Sequence, residues 1–183
     1  VCGVDRFGMA EALAEAGAQV TFGDLIFGLN INMPIKSLKV LAWIASIVAP
    51  VITKLPVSWF YPIGKEQTQR IERYPAYFLE NDIIAGDFHF IRKFMPAQMA
   101  GKTIITNTVT KEDRDLLKKA GVYCLITTTP NFNGRSFGTN VLEAALVALA
   151  GGRGPLTAVE YEGLLKKYNI QPGIEYFSVK GSV

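Results

Sequence analysis

The sequence predicts an α/β domain with a mostly parallel sheet of about five strands, covered by helices on both faces. Three observations predict it. Short β-branched runs alternate with helical patterns along most of the 183 residues, which calls for parallel strands joined by crossover helices. Polar and glycine-containing segments follow the strands, whereas the pairs Ala16-Gly17, Ala100-Gly101 and Ala120-Gly121 precede them. Hydrophobic residues make up 49% and charged residues 19%, with a mean hydropathy of +0.21, and this composition excludes a disordered chain.

The elements follow in order. Val1 to Val4 reads as the tail of a strand, so the chain is expected to be a C-terminal fragment of a longer one. Gly3 to Gly8 is a glycine turn, Met9 to Ala16 a helix closed by Gly17, and Gln19 to Phe22 a second strand followed by Asp24. Strand, glycine turn, helix, strand and acid form the opening of a Rossmann-like unit. The first and third glycine positions are Gly3 and Gly8, but the middle one is Asp5. A carboxylate there repels a pyrophosphate, so either the cofactor sits differently or Asp5 turns away to bond backbone amides. Asp24 stands at the offset of the acid that grips an adenosine ribose, which favours NAD over NADP.

An insertion over about residues 25–75 interrupts the pattern. Ile35 to Ala49 has a helical rhythm broken at Pro50, and Trp59, Phe60 and Tyr61 follow between prolines. Its uncharged run of about 14 residues is shorter than the roughly 20 that a membrane span requires. A helix that is buried, or that covers a homodimer or N-terminal domain contact, is expected; a membrane surface is the disfavoured alternative. Tyr74 to Glu80 reads as a short helix, Asp82 to Gly86 as a strand, and Phe90 to Phe94 as a helical turn. Thr103 to Thr106 is a strand, and Thr110 with Asp113 caps a helix ending at Lys119. Val122 to Ile126 is the last clear strand. The polar stretch Thr127 to Asn140 then leads into a helix from Val141 to Ala150, with Asn140 and Glu143 expected as its capping box. Thr157 and Glu160 start a C-terminal helix, Ala158 to Tyr168, and the tail from Asn169 frays or packs back as an extended arm. The expected strand order is 2-1-3-4-5, with residues 1–183 forming one nucleotide-binding domain.

In such sheets the ligand crevice lies beyond the carboxyl ends of the strands. The candidate residues are those that follow the strands. Gly3, Asp5, Arg6, Phe7, Gly8 and Asp24 are candidates for cofactor binding, with Asn107 and Thr108 flanking the second ribose. His89, the one histidine, and Asp87 are candidate proton acceptors. Arg135, Ser136 and Asn140 are candidates for substrate binding, the planar guanidinium suiting a carboxylate. Cys2 and Cys124 show no metal-ligand spacing, so no metal site is expected, and reduced thiols in a cytoplasmic protein are. The net charge of +3, without a Lys/Arg block, gives no nucleic-acid footprint.

Five segments carry a family resemblance: Asp5-Arg-Phe-Gly-Met-Ala10, Phe22-Gly-Asp-Leu-Ile-Phe27, Ile84-Ala-Gly-Asp-Phe-His89, Thr106-Asn-Thr-Val-Thr110 and Gly134-Arg-Ser-Phe-Gly-Thr-Asn140. Together they resemble bacterial proteins labelled quinate 5-dehydrogenase, or shikimate/quinate dehydrogenase-like, over nearly the whole chain. The resemblance implies the C-terminal NAD(P)-binding part of an oxidoreductase that moves a hydride between a nicotinamide cofactor and a hydroxy or keto cyclic acid. The catalytic Lys and Asp of such enzymes belong to their N-terminal substrate domain, and no residue here matches that pair. The alternative is a non-catalytic Rossmann-like module that binds a nucleotide or a phosphorylated metabolite.

Overall fold

Helices form where apolar residues recur at helical spacing and the ends are capped; strands form where β-branched runs are short and bounded by turns. The computed structural model describes residues 6–52, 71–152 and 154–177. The expected Val1–Val4 strand, with Cys2, Gly3 and Asp5, lies outside the described residues, as do Trp59, Phe60 and Tyr61. The chain divides into two units, Val1–Ala97 and Gln98–Val183. Both mix helix and strand.

In the first unit α1 spans Phe7–Glu15. It is closed by Gly17 at φ +83°, a conformation that suits glycine. The expected strand at Gln19 to Phe22 is not one: only Phe22 pairs, in an isolated antiparallel bridge with Ile35. The reason lies in packing. Phe22 and Ile35 are both buried with Ala10, Leu25 and Leu41, so the inserted segment folds back onto α1. A π-helical turn, Asp24–Gly28, follows directly. Helix α2 runs over Leu38–Ile52 and passes through Pro50 near its end rather than stopping there. Helix α3 is Ala76–Leu79, with Pro75 at its N-cap. Strand β1 is Ile83–Ala85 and helix α4 is Phe88–Phe94. Phe27 of the inserted turn packs its ring 5.4 Å from Phe78 and 5.2 Å from Phe94. The Tyr77 hydroxyl donates to Asn32 at 2.9 Å. Residues 25–41 of the insertion are therefore part of this unit's core.

The second unit holds β2 (Thr103–Thr106), α5 (Lys111–Lys119), β3 (Cys124–Thr127), α6 (Thr139–Leu149), α7 (Ala158–Lys167) and β4 (Gly173–Tyr176). Strands β2 and β3 are parallel, with Thr106 opposite Thr127, and α5 is the crossover between them. Thr110 and Asp113 make the expected capping box. Strand β4 is antiparallel to β3, so of the two courses expected for the tail it packs back as an extended arm rather than fraying. The chain thus shows four strands among the described residues, where about five were expected. Glycine is required at the start of β4: a Cβ on Gly173 would stand 2.5 Å from the Thr127 hydroxyl. Thr157 and Glu160 cap α7 as the sequence indicates. Among the described residues no helix is long and apolar enough to cross a membrane.

Candidate functional site

The first unit brings together two segments 81 residues apart in sequence. Arg6, at the N-cap of α1, donates to the Asp87 carboxylate at 2.8 Å. Asp87 follows β1 through Gly86, whose φ of +151° is closed to residues with a side chain. Asp87 is buried and is the N-cap of α4, accepting the His89 backbone N–H at 2.9 Å. The carboxylate named as a proton acceptor is thus committed to an ion pair and a helix cap. His89 is the second residue of α4 and is half-buried.

A cleft of about 450 Å³ opens beside this pair. Thr21, Gly23 and Ile83 to Asp87 line it, with Phe27, Phe78 and Phe90 among its apolar walls. Asp24 begins the π-helical turn next to Gly23 and is half-buried. The N-terminus of α1 has no side-chain cap, and Phe7 and Gly8 are exposed there. A Cβ on Gly8 would meet nothing within 4 Å, so the glycine is not fixed by crowding within the protein. Uncapped N–H groups beside a guanidinium suit an anion.

The other candidates belong to the second unit. Asn107 and Thr108 follow β2, and Thr128 and Thr129 follow β3. Asn107 is 3% exposed, and its carbonyl accepts the Ser136 hydroxyl at 2.5 Å. That same hydroxyl accepts the Val109 N–H at 3.0 Å. Ser136 is fully buried, so it locks the loop rather than facing a ligand. The capping box expected at Asn140 and Glu143 is absent. Helix α6 begins at Thr139 with Gly138 as N-cap, and the Asn140 side chain accepts only the neighbouring Val141 N–H. Asn140 Oδ1 and the Thr108 hydroxyl stand 2.5 Å and 3.5 Å from where a Gly138 Cβ would lie. The extended Gly138 takes the N-cap place, and Glu143 instead accepts the Tyr161 hydroxyl of α7.

Three features escaped sequence reasoning. The first is the hairpin inside Thr127 to Asn140, where Phe132 and Arg135 pair across Asn133 and Gly134, both at positive φ. The Asn-Gly pair was its readable signal. The second is Arg114, buried in α5, which donates through Nε to the Gly134 carbonyl at 3.1 Å and through a terminal nitrogen to Glu175 of β4. Its position in a charged helix concealed it. The third is the pairing of Arg6 with Asp87, which no local pattern announces. Burial pushes the Cys124 thiol up from its ordinary range, which keeps it protonated and inert. Among the described residues no group of three or more His, Cys, Asp or Glu could hold a metal.

A family model described as "Domain of unknown function (DUF8754)" matches residues 1–177. No curated protein matches the chain, and no solved structure does.

Proposed function

Because the chain belongs to the DUF8754 family, whose description carries no activity, we propose from the geometry that it is a Rossmann-like nucleotide-binding domain whose first unit takes a nicotinamide dinucleotide. The observation that carries this reading is the Arg6–Asp87 pair, which ties the uncapped start of α1 to a carboxylate that lines a cleft of ligand size. In this reading the pyrophosphate lies over the first N–H groups of α1 beside Arg6. The cleft receives the apolar part of the ligand, and Asp24 lies near enough to Gly23 to take the ribose hydroxyls.

The residues present fit such a cofactor in kind: an uncapped helix start, a cation at its N-cap and a partly apolar cleft. A bound nicotinamide supplies the hydride chemistry; this chain's own residues bind and orient it. Asp87 is assigned to structure, because protonating or releasing it would break both the ion pair and the α4 cap. Hydride transfer with a hydroxy or keto cyclic acid, the activity implied by the family resemblance, therefore depends on His89 for its proton acceptor. Binding without turnover by this chain is the reading the geometry supports best.

Calorimetry with NAD, NADP and AMP, paired with an absorbance assay at the reduced nicotinamide band against a panel of hydroxy acids, tests it. We expect NAD to bind and Asp24→Ala to weaken it about tenfold, the loss of a hydrogen-bonded charge. Absence of heat and of thermal stabilisation with all three nucleotides refutes the nucleotide reading. Turnover in the absorbance assay refutes the non-catalytic form and leaves binding intact.

A further inference from the structure

The Phe132–Arg135 hairpin is held more firmly than a connecting turn requires. Phe132 and Arg135 exchange both backbone N–H bonds, at 2.7 and 3.0 Å. Below them, Arg114 grips the Gly134 carbonyl and Ser136 is buried against Asn107. The Thr129 hydroxyl donates to the Phe137 carbonyl at 2.7 Å.

This frame supports an unusual surface for a turn. Phe132 is 55% exposed and Phe137 39% exposed. Their ring centroids are 6.0 Å apart and their planes are inclined by 47°. The Arg135 guanidinium lies over the Phe137 ring, 5.9 Å from its centroid. Polar residues would serve a two-residue turn equally well, and two phenyl groups left this exposed keep apolar surface in water at a cost. Aromatic rings with an arginine are instead the side chains that anchor ligands: the rings supply apolar area at small entropic cost, and the guanidinium keeps in-plane donors for an oxyanion. The charge of Glu112 is felt at Arg135. Among the described residues, however, no acceptor makes a hydrogen bond or salt bridge to the Arg135 guanidinium. A ligand carboxylate therefore displaces only a loose internal neighbour.

We propose that this hairpin tip binds a small planar ring carrying an oxyanion, with the ring against Phe132 and Phe137 and the oxyanion on Arg135. The site lies wholly in the second unit and stands whether or not the first unit binds a nucleotide.

The test is an NMR titration of the full chain with benzoate, phenyl phosphate, cyclohexanecarboxylate and acetate. Benzoate and phenyl phosphate are expected to shift the resonances of Phe132, Gly134, Arg135 and Phe137, and the tighter of the two identifies the oxyanion. Cyclohexanecarboxylate and acetate are expected to bind at least about fivefold more weakly, because they lack the flat ring. Arg135→Gln should weaken benzoate about tenfold. Phe132→Leu, which retains the apolar bulk that packs the hairpin, should weaken benzoate but not acetate. Equal shifts from acetate and benzoate overturn the proposal. So does benzoate binding that survives Arg135→Gln, or the absence of any shift at the tip.

Discussion

Arg114 offers the sharpest test of how the second unit holds its candidate site in place. Consider Arg114→Met, which keeps the length and removes the charge. Arg114 is 5% exposed, and its guanidinium joins its own helix α5 to the hairpin at Gly134 and to strand β4 at Glu175. Breaking a buried ion pair by deleting one partner costs about 3–5 kcal/mol. Here the loss is smaller. The Glu175 side chain is one-third exposed, and Lys118 still reaches it at 3.3 Å. Screening by water reduces the electrostatic part, while the stranded Gly134 carbonyl adds about 1 kcal/mol. A net loss of about 2–3 kcal/mol follows. Amide hydrogen exchange reads this loss within the second unit itself. The Ser136 N–H, bonded to the Val109 carbonyl at 3.0 Å, should exchange about 30- to 150-fold faster in the variant, the equivalent of that loss. A double-mutant cycle with Glu175→Gln should show coupling of about 1 kcal/mol or more. Unchanged Ser136 protection, or additive single effects, would refute the clamp.

Three further outcomes are expected. Gly134→Ala places a Cβ at φ +84° and should destabilise the hairpin by about 1–2 kcal/mol, whereas Asn133→Gly should be close to neutral; urea unfolding followed by amide shifts measures both. Gly173→Ala drives a methyl group against the Thr127 hydroxyl, which is bonded to the Thr129 carbonyl at 2.8 Å. It should lower stability by about 1–3 kcal/mol, and a midpoint equal to the wild type's would show that β4 does not approach β3 this closely. The Glu160 carboxyl is held below the ordinary glutamate range, first by the Thr157 backbone N–H and then by its hydroxyl. A lowered folded value means that its contribution is complete above the ordinary glutamate pKa and is lost as the pH falls through the lowered one. The start of α7 should therefore loosen only at acid pH. A Glu160 carboxyl carbon that titrates at the ordinary value would count against the capping box.

Local chemistry made much of the fold legible. The boxes at Thr110–Asp113 and Thr157–Glu160 are closed over four residues each, and the side chains that make them are neighbours in sequence. Strands β2 and β3 were equally plain, because short β-branched runs bounded by turns have few other uses. Strand β4 was hidden for the opposite reason. Gly-Ile-Glu-Tyr carries little intrinsic strand signal; its pairing depends on the free edge of β3 and on Arg114 and Lys118 receiving Glu175. The expected strand before Asp24 failed on similar grounds, since Phe22 found Ile35 in the core of its unit instead of a sheet neighbour.

The candidate site divides in the same way. By itself the sequence determined the capped starts of α5 and α7, the runs that form β2 and β3 and which polar residues follow them, because these depend on contacts within a few residues. Tertiary structure alone decided what those residues are free to do. It bound Asp87 to Arg6, buried Ser136 under the hairpin and left Arg135 exposed over the Phe137 ring. Whether a carboxylate is a base or a cap, and whether an arginine is a clamp or a hand, depends on which distant group desolvates or neutralises it. That information is carried by packing across the chain and not by any local stretch of it.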